Sequence, residues 1–426
     1  MTATSSLPVR PGNAGHVTII GAGIIGVCSA NYLLRAGFSV EVLDPVLPGS
    51  PDQCSYGNAG GICPGSCIPN AMPGMAKNIP GWLADPEGPI SLRLLHLPHA
   101  LPWLIRFLAA GRRGRVPAIA DAMRALHRYT FEAYEPLLKD AGCEDLLQKR
   151  GQLFAYEDPA GPAKSGYSLG LRRERGVAVE ILNADELHQL EPALGPQFKA
   201  GVYLPEQGQT PNPGRLVERL AALAASQGAQ FIRTKVQALE MGAQGPVAVQ
   251  TDKGRRPVQQ LVVCAGAFSG PFARTLGLRI PLESERGYHV TVSSARTALR
   301  IQTVSAEHKF VAAPHEGGLR LSGTVEFAGL TAKPDPKRAS ILLAQGQRMF
   351  PGLDISSYTS WMGNRPGTPD SIPVIERLAR YPNVVLAFGH GHQGMIGGAV
   401  TGRLVAQLAA GQAPGIDLSP FRSDRF

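Results

Sequence analysis

Gly21, Gly23 and Gly26 in the stretch GAGIIG, with Asp44 at the end of SVEVLD, form a set of residues whose chemistry is phosphate and ribose recognition. Gly21 permits a tight turn, Gly23 lets main-chain N–H groups approach a pyrophosphate, and Gly26 lets a helix pack closely on the strand before it. Gly23, Ile24 and Ile25 open that helix, so its N-terminal N–H groups and its dipole face the phosphates. The carboxylate of Asp44 accepts hydrogen bonds from both ribose hydroxyls and repels a 2′-phosphate. This fingerprint predicts a dinucleotide but does not separate NAD from FAD.

These residues need elements to hold them, and the flanking pattern supplies them. HVTII before Gly21 reads as a buried parallel strand, IIGVCSANYLLRAG keeps helical spacing until Gly37, and SVEVLD reads as a second strand. A Gly-, Pro- and Ser-rich loop follows, PGSPDQCSYGNAGGICPGSCIPNAMPGM, of a length that is usually functional. Residues 90–150 read as mostly helical, and GQLFAY begins a strand-rich region that runs to Leu204. PNPGRLVERLAALAASQGAQFIRTKVQALEM is a Pro-initiated helix, a turn and a strand, and QQLVVCAGAFS is a further strand with a glycine turn. ERGYHVTVSS, IQTVS and FVAAPHEGGLRLSGTVEFAG supply antiparallel strands. NVVLAFGHGHQGMIGGAVTGRLVAQLAAG closes the chain as strand, Gly-rich turn and helix. No internal repeat is visible.

Composition narrows the function classes. The 426 residues are 44% hydrophobic, enough for two or three folding units with a sizeable core. The 42 Lys and Arg against 33 Asp and Glu give a charge of +9, which suits an anionic surface or acidic small molecules. Aromatics are only 6% and no basic run interleaves with them, which argues against nucleic acid as a partner. The amino terminus lacks the apolar core of a secretory signal, so the expectation is an intracellular, cytoplasmic protein whose six cysteines stay unpaired. Cys63 and Cys67 in CPGSC lack the further ligands that a metal site needs, and no metal is expected.

Taken together, GAGIIG…LDP, CSYGNAGG, VVCAGAFS, RGYHVTV, WMGNRPGTPDSIPVI and FGHGHQGMIGGAVTGRLVA resemble, in order, the FAD-dependent D-amino-acid dehydrogenase and glycine oxidase branch of the D-amino-acid oxidase superfamily. The likeness runs from residue 16 to about 412. It implies an α/β fold: a discontinuous Rossmann-type FAD-binding domain (16–90, 150–160, 205–275 and 355–420). Into it is inserted an α+β substrate domain on a mostly antiparallel sheet (91–149, 161–204 and 276–354). It also implies noncovalent FAD, with the main chain at Val236 meeting the adenine and the turn at Ala265 and Gly266 lining the dinucleotide. Ser55, Asn58, Ala59, Gly60 and Gly61 would pass along the phosphate, ribityl and ring region. The closing turn, with Gly391, His392, Gln393, Gly394 and Met395, would lead into a helix whose N-terminal dipole faces the flavin N1–C2=O locus.

The resemblance further implies a reaction: hydride transfer from the Cα of a small D-amino acid, or a cyclic imino acid such as a hydroxy-D-proline, to flavin N5. Arg365 would grip the substrate carboxylate through a planar bidentate pair; its structural alternative is an ion pair with Asp370. Tyr288 in RGYHV would add a substrate-side hydrogen bond, with a plain core tyrosine as the rival reading. His289, His308, His390 and Glu326 are weaker candidates, and Arg286 and Arg320 are the next cations in line should Arg365 prove structural. Electrons would pass to a quinone or another respiratory acceptor; the alternatives are an oxidase that uses O2 and a dinucleotide-binding module without turnover. Finally, ISLRLLHLPHALPWLIRFLAAGRRGR mixes Leu94, Leu101, Trp103, Leu104, Phe107 and Leu108 with five arginines. Prolines and Arg106 interrupt it, so it reads as an interfacial membrane segment or as a buried element, not as a span.

Overall fold

The computed structural model describes residues 14–295 and 299–426. The amino-terminal stretch read above for a secretory signal lies mostly outside the described residues.

Two large sheets organise the chain. The first has six strands, ordered Val374–Arg377, Val384–Phe388, Gln260–Val263, His16–Ile20, Ser39–Asp44 and Gln230–Arg233. All its neighbours are parallel except the first pair. Its strands are nearly continuous runs of Val, Ile and Leu because both faces are covered. On one face the helices Ile24–Arg35, Pro213–Ser226 and Gly394–Ala409 pack with Val116–His127 and Thr130–Asp140 around Val27, Leu33, Leu126, Leu137 and Val400. On the other, the antiparallel sheet Val236–Gly242, Gly245–Thr251, Gly254–Pro257 closes over Leu43, Leu261 and Leu386. This is the doubly covered, mostly parallel architecture expected for a dinucleotide domain.

The second sheet has nine strands and is mixed, mostly antiparallel. Its path runs Tyr358–Gly367, Glu283–Val292, Gly318–Phe327, Phe310–His315, Gln302–Ser305, Gln152–Tyr156, Ala200–Leu204 and Glu180–Leu182, with Ile90–Leu92 joining Gly318–Phe327 in parallel. One face packs on the helix Lys337–Met349 through Tyr288, Val290, Leu321 and Leu342. The other face looks toward the loop Cys54–Gly61 and the closing turn.

Membership in the two layers falls differently from the sequence boundaries at three places. Residues 152–156 and 358–367, assigned to the FAD-binding portion, are strands of the nine-stranded sheet, because their hydrogen-bond partners are Gln302–Ser305, Ala200–Leu204 and Glu283–Val292. Helices 116–127 and 130–140, assigned to the substrate portion, bury Met123, Leu126, Tyr134 and Leu137 in the core of the nucleotide layer. Pairing and packing between distant segments decide this, and neither leaves a local trace.

Candidate active site

The dinucleotide elements converge at the carboxyl ends of the parallel strands. Gly21 has φ +110, and a Cβ there would lie 2.5 Å from the carbonyl oxygen of Cys264; at Gly26 it would lie 1.9 Å from the carbonyl oxygen of Gly21. The turn and the helix–strand contact therefore both require glycine. Asp44 ends its strand with Oδ2 accepting from Ala22 N–H at 2.7 Å and Oδ1 from Val46 N–H at 2.9 Å. Burial raises its pKa, with those N–H groups opposing the rise. Thr234 N–H donates to the Asp44 carbonyl, which brings Val236 to the same edge, and Cys264 N–H donates to Ile20, which brings Ala265 and Gly266 there.

These residues fit a bound FAD. Ile24 N–H, at the helix mouth, donates to the Ser55 hydroxyl at 3.0 Å, a donor that a phosphate oxygen accepts from with a full charge. A Cβ added at Gly266 or at Gly391 would meet no atom within 4 Å, so open space borders both turns. Ile24 and Ile25 point their side chains into the core and offer only main-chain groups. Met395 does the same: it is buried, and its carbonyl accepts from the Tyr134 hydroxyl.

From this edge the loop leads into a cavity of about 790 Å³ between the two sheets. Asn58 fastens the loop to the closing turn, its Nδ2 donating to the His392 carbonyl at 3.2 Å while its Oδ1 accepts from Gly60 N–H at 2.8 Å. Gln302 Nε2 holds the Ala59 carbonyl, Thr210 N–H holds that of Gly60, and Gly61 pairs with Gln209. Gln393 Nε2 donates to the Ser66 hydroxyl. Arg320 braces the loop from the sheet, donating to the carbonyls of Tyr56 at 3.0 Å and Asn58 at 2.9 Å. That guanidinium is buried, which pulls its pKa down to about 10. His392 lines the cavity, and burial with the nearby Arg365 charge lowers it to about 4, so it is neutral at pH 7. His390 is lowered to about 3 by burial and bonds Thr401, which makes it a packing residue.

Arg365 stands on Tyr358–Gly367, half-buried and facing this cavity. Its side chain crosses the neighbouring strand above Gly287 and reaches the Thr324 carbonyl at 3.4 Å. Among the described residues no carboxylate lies within ion-pair distance of it. Its expected competitor, Asp370, is instead held by Arg425 at 2.9 Å.

Tyr288 is not brought to the cavity. Strand alternation turns it to the opposite face, where it is buried with its hydroxyl donating to Glu326 and accepting from Asp335 N–H. Glu326 is neither solvated nor in the pocket: Arg93 at 2.7 Å and Arg286 at 3.1 Å complete a buried ion cluster around it. Arg286 and Arg320 are thereby both committed. His308 pairs with Glu157 at 3.1 Å, and His289 stacks on Trp361 with 5.0 Å between ring centroids.

Several cavity residues carry no signal that the motif reading used. Glu285 and Cys54 flank Arg365, and Trp361, Arg172 and Lys309 line further parts of the wall, with Cys63 beside them. Burial raises Glu285 to about 7, although Arg365 pulls it down. It raises the thiols of Cys54 and Cys63 to about 11 and about 12. The alternation of ESERGYHV places Glu285 on the same face as Gly287 and His289, and that period-2 pattern is the sequence signal that points to it. The helix Leu97–Ala110 covers one end of the cavity. Trp103 faces inward, its Nε1–H donating to the Gly367 carbonyl, whereas Leu94, Leu95, Leu101, Ile105 and Leu108 are exposed. Arg93 is drawn away from that surface to Glu326. Among the described residues no helix is long and apolar enough to cross a membrane.

Comparison with known proteins agrees with this fold. The D-amino-acid oxidase of Bradyrhizobium diazoefficiens is 42% identical over 96% of this chain and 99% of its own length. The D-amino acid dehydrogenase of Paramagnetospirillum magneticum is 31% identical over 96% and 98%. The glycine oxidase structure from Geobacillus kaustophilus superposes with a TM-score of 0.73 at 22% identity, covering 96% of this chain and 98% of that one. The model of the FAD dependent oxidoreductase family, DAO, matches residues 16–408, and this chain is a member of that family.

Proposed function

We propose that the protein oxidises the Cα–N bond of a small D-amino acid, or of a cyclic imino acid of the hydroxy-D-proline type, and passes the electrons to a quinone or another respiratory acceptor. The observation that carries this reading is Arg365: a guanidinium that faces the cavity, has no carboxylate partner within ion-pair distance among the described residues and sits in a wall where Arg172 and Lys309 add further positive charge. Such a wall suits a substrate that enters with a carboxylate. The names of the two relatives support the D configuration.

Arg365 fixes the substrate through its carboxylate, and the sheet strand beneath it sets which face of Cα turns toward the Asn58–Gly61 loop. FAD, when bound, supplies the two-electron acceptor for the Cα–H bond. Gly394 opens a helix whose partial positive charge lies beside the cavity and favours negative charge there. A primary amine leaves as an imino acid, which water hydrolyses to the 2-oxo acid. The exposed Leu94, Leu95, Leu101, Ile105 and Leu108, with Arg106, Arg112 and Arg113 nearby, support a cytoplasmic enzyme resting on the inner face of a membrane, near an apolar acceptor.

A second reading, an oxidase using O2, is favoured by the name of the 42% identical relative. Anaerobic bleaching of the flavin by a panel of D- and L-amino acids, then reoxidation by a quinone analogue or by O2, tests both. Bleaching by D-substrates with reoxidation much faster by the quinone is expected. Comparable reoxidation by O2 with stoichiometric peroxide replaces the acceptor assignment, and bleaching only by L-substrates overturns the configuration.

A further inference from the structure

We infer that Glu285 forms an ammonium subsite opposite Arg365, pairing with the amino group of the substrate and taking its proton. The inference rests on the amino-acid reading of the cavity and extends it to the nitrogen.

Glu285 is 5% exposed and lines the cavity. Among the described residues it has no hydrogen bond and no ion pair. A buried carboxylate without a partner is costly, so the fold keeps one only where something else pairs with it. The register places it directly across from Arg365 in an antiparallel pair, which puts both side chains on one face. Glycines clear the space around them: a Cβ at Gly287 would strike the Arg365 guanidinium, and one at Gly367 would lie 2.7 Å from the Glu285 carboxyl. One cation and one anion side by side, the cation bonded only to the Thr324 carbonyl and the anion with no hydrogen bond among the described residues, match the two ends of a zwitterionic amino acid.

The charged surroundings of Glu285 are few. Arg365 faces it from the adjacent strand, Glu283 lies two residues back on its own strand and is paired with His96 at 3.2 Å, and Cys54 and the neutral His392 come from the two loops. Arg286 and Glu326 are on the opposite face. Burial is the main influence on Glu285, and it holds the carboxyl near 7, where it is partly ionised at neutral pH. In the proposed step an N–H bond of the substrate ammonium breaks and an O–H bond forms on Glu285. The nitrogen keeps the electron pair, so nothing is oxidised or reduced. The neutral amine is the form whose lone pair assists loss of the Cα–H electrons.

The test uses the holoenzyme and the variants Glu285→Gln and Glu285→Asp. Anaerobic flavin reduction by a D-amino acid is followed from pH 5.5 to 9.5, and the binding of D-alanine and of propanoate is followed by perturbation of the flavin spectrum. Wild-type reduction is expected to rise through about pH 7. Glu285→Gln should lose that limb and fall roughly 100-fold at pH 7, with Glu285→Asp retaining it. Propanoate affinity and flavin content should stay unchanged while D-alanine affinity falls. A wild-type pH profile and rate in Glu285→Gln overturns the inference, as does an equal loss of affinity for propanoate and D-alanine. Failure of every amino acid to reduce the wild-type flavin overturns the functional reading instead. The subsite is then judged by binding alone, and it falls if Glu285→Gln leaves the preference for D-alanine over propanoate intact.

Discussion

Gly287 lies directly beneath the guanidinium of Arg365, so close that a Cβ built there would sit 2.1 Å from Cζ. The absence of a side chain on one strand is thus what lets an arginine from the next strand lie across it toward Thr324. Gly287→Ala should push the guanidinium off this path and lower kcat/KM by up to about 100-fold, since a displacement of this size acts on substrate alignment. Steady-state kinetics on a folded, flavin-replete variant checks it, and unchanged kinetics would mean the guanidinium has another productive position.

Arg365→Met removes the charge itself. Leaving a substrate carboxylate unpaired in a desolvated pocket costs roughly 2–5 kcal/mol, which is a loss in kcat/KM of roughly 30- to 5000-fold. Flavin content should remain near normal, because Arg365 reaches Thr324 and not the Gly21–Asp44 edge. Measuring occupancy and anaerobic reduction rate on the same preparation separates a substrate role from a structural one.

Asp44→Ala should weaken FAD retention by about 1.5–3 kcal/mol for the loss of charge-assisted bonds. It also strips acceptors from Ala22 and Val46, so the apoprotein turn loosens as well. Flavin released in a dilution series, set beside the melting temperature of the apoprotein, measures the two effects separately.

Glu285 carries a signature in stability as well as in rate. Its folded-state pKa is raised from the ordinary 4.5 to about 7, so between those values the native state binds more protons than the unfolded chain. Stability therefore falls as pH rises through that window, by roughly 3 kcal/mol once the carboxyl is ionised. Glu285→Gln should melt at a higher temperature than the parent at pH 8, and the gap should close toward pH 4.5. Parallel melting curves at all pH values would remove the case for an unpaired buried carboxylate.

The exposed leucines give a surface prediction. Replacing Leu94, Leu95 and Ile105 with Ser should reduce binding to vesicles containing anionic lipid by at least about 10-fold while leaving the melting temperature nearly unchanged. Trp103→Ser should do the reverse, because Trp103 is buried against Phe107 and Phe327 and bonded to Gly367. No vesicle binding by the parent would assign this face to other contacts.

The nucleotide edge was legible because its signals are local: Gly21, Gly26 and Asp44 act within one strand–helix–strand unit, and each type is required by its own backbone. Arg365 was legible as a motif residue, but its freedom was not. The rival Asp370 is taken by Arg425, 55 residues further along, and no spacing announces such a pair. Of the two readings of Tyr288, substrate side or core, a single step of strand alternation decides for the core: residues 285, 287 and 289 share the sheet face that carries the cavity, and 288 turns to the helix on the far side. The amphipathic stretch, with its two readings of membrane segment and buried element, is divided by the helix: Trp103 is interior, Leu101, Leu104, Ile105 and Leu108 line the cavity, and Leu94 and Leu95 face outward. Boundaries between the layers depended on which strands pair, and strands such as Gln152–Tyr156 carry no mark of their neighbour.

The thiols of Cys54 and Cys63 sit in the wall of a cavity meant for redox work, yet burial holds both far above neutral pH. The thiolate is the nucleophile that attacks peroxide and electrophiles, and a thiol kept protonated offers almost none of it. The same dryness that shelters the cavity chemistry therefore shields its sulfurs. An enzyme of this design can work beside reactive oxygen species and imines without being inactivated through these two cysteines, and iodoacetamide at pH 8 should leave both unlabelled until the chain unfolds.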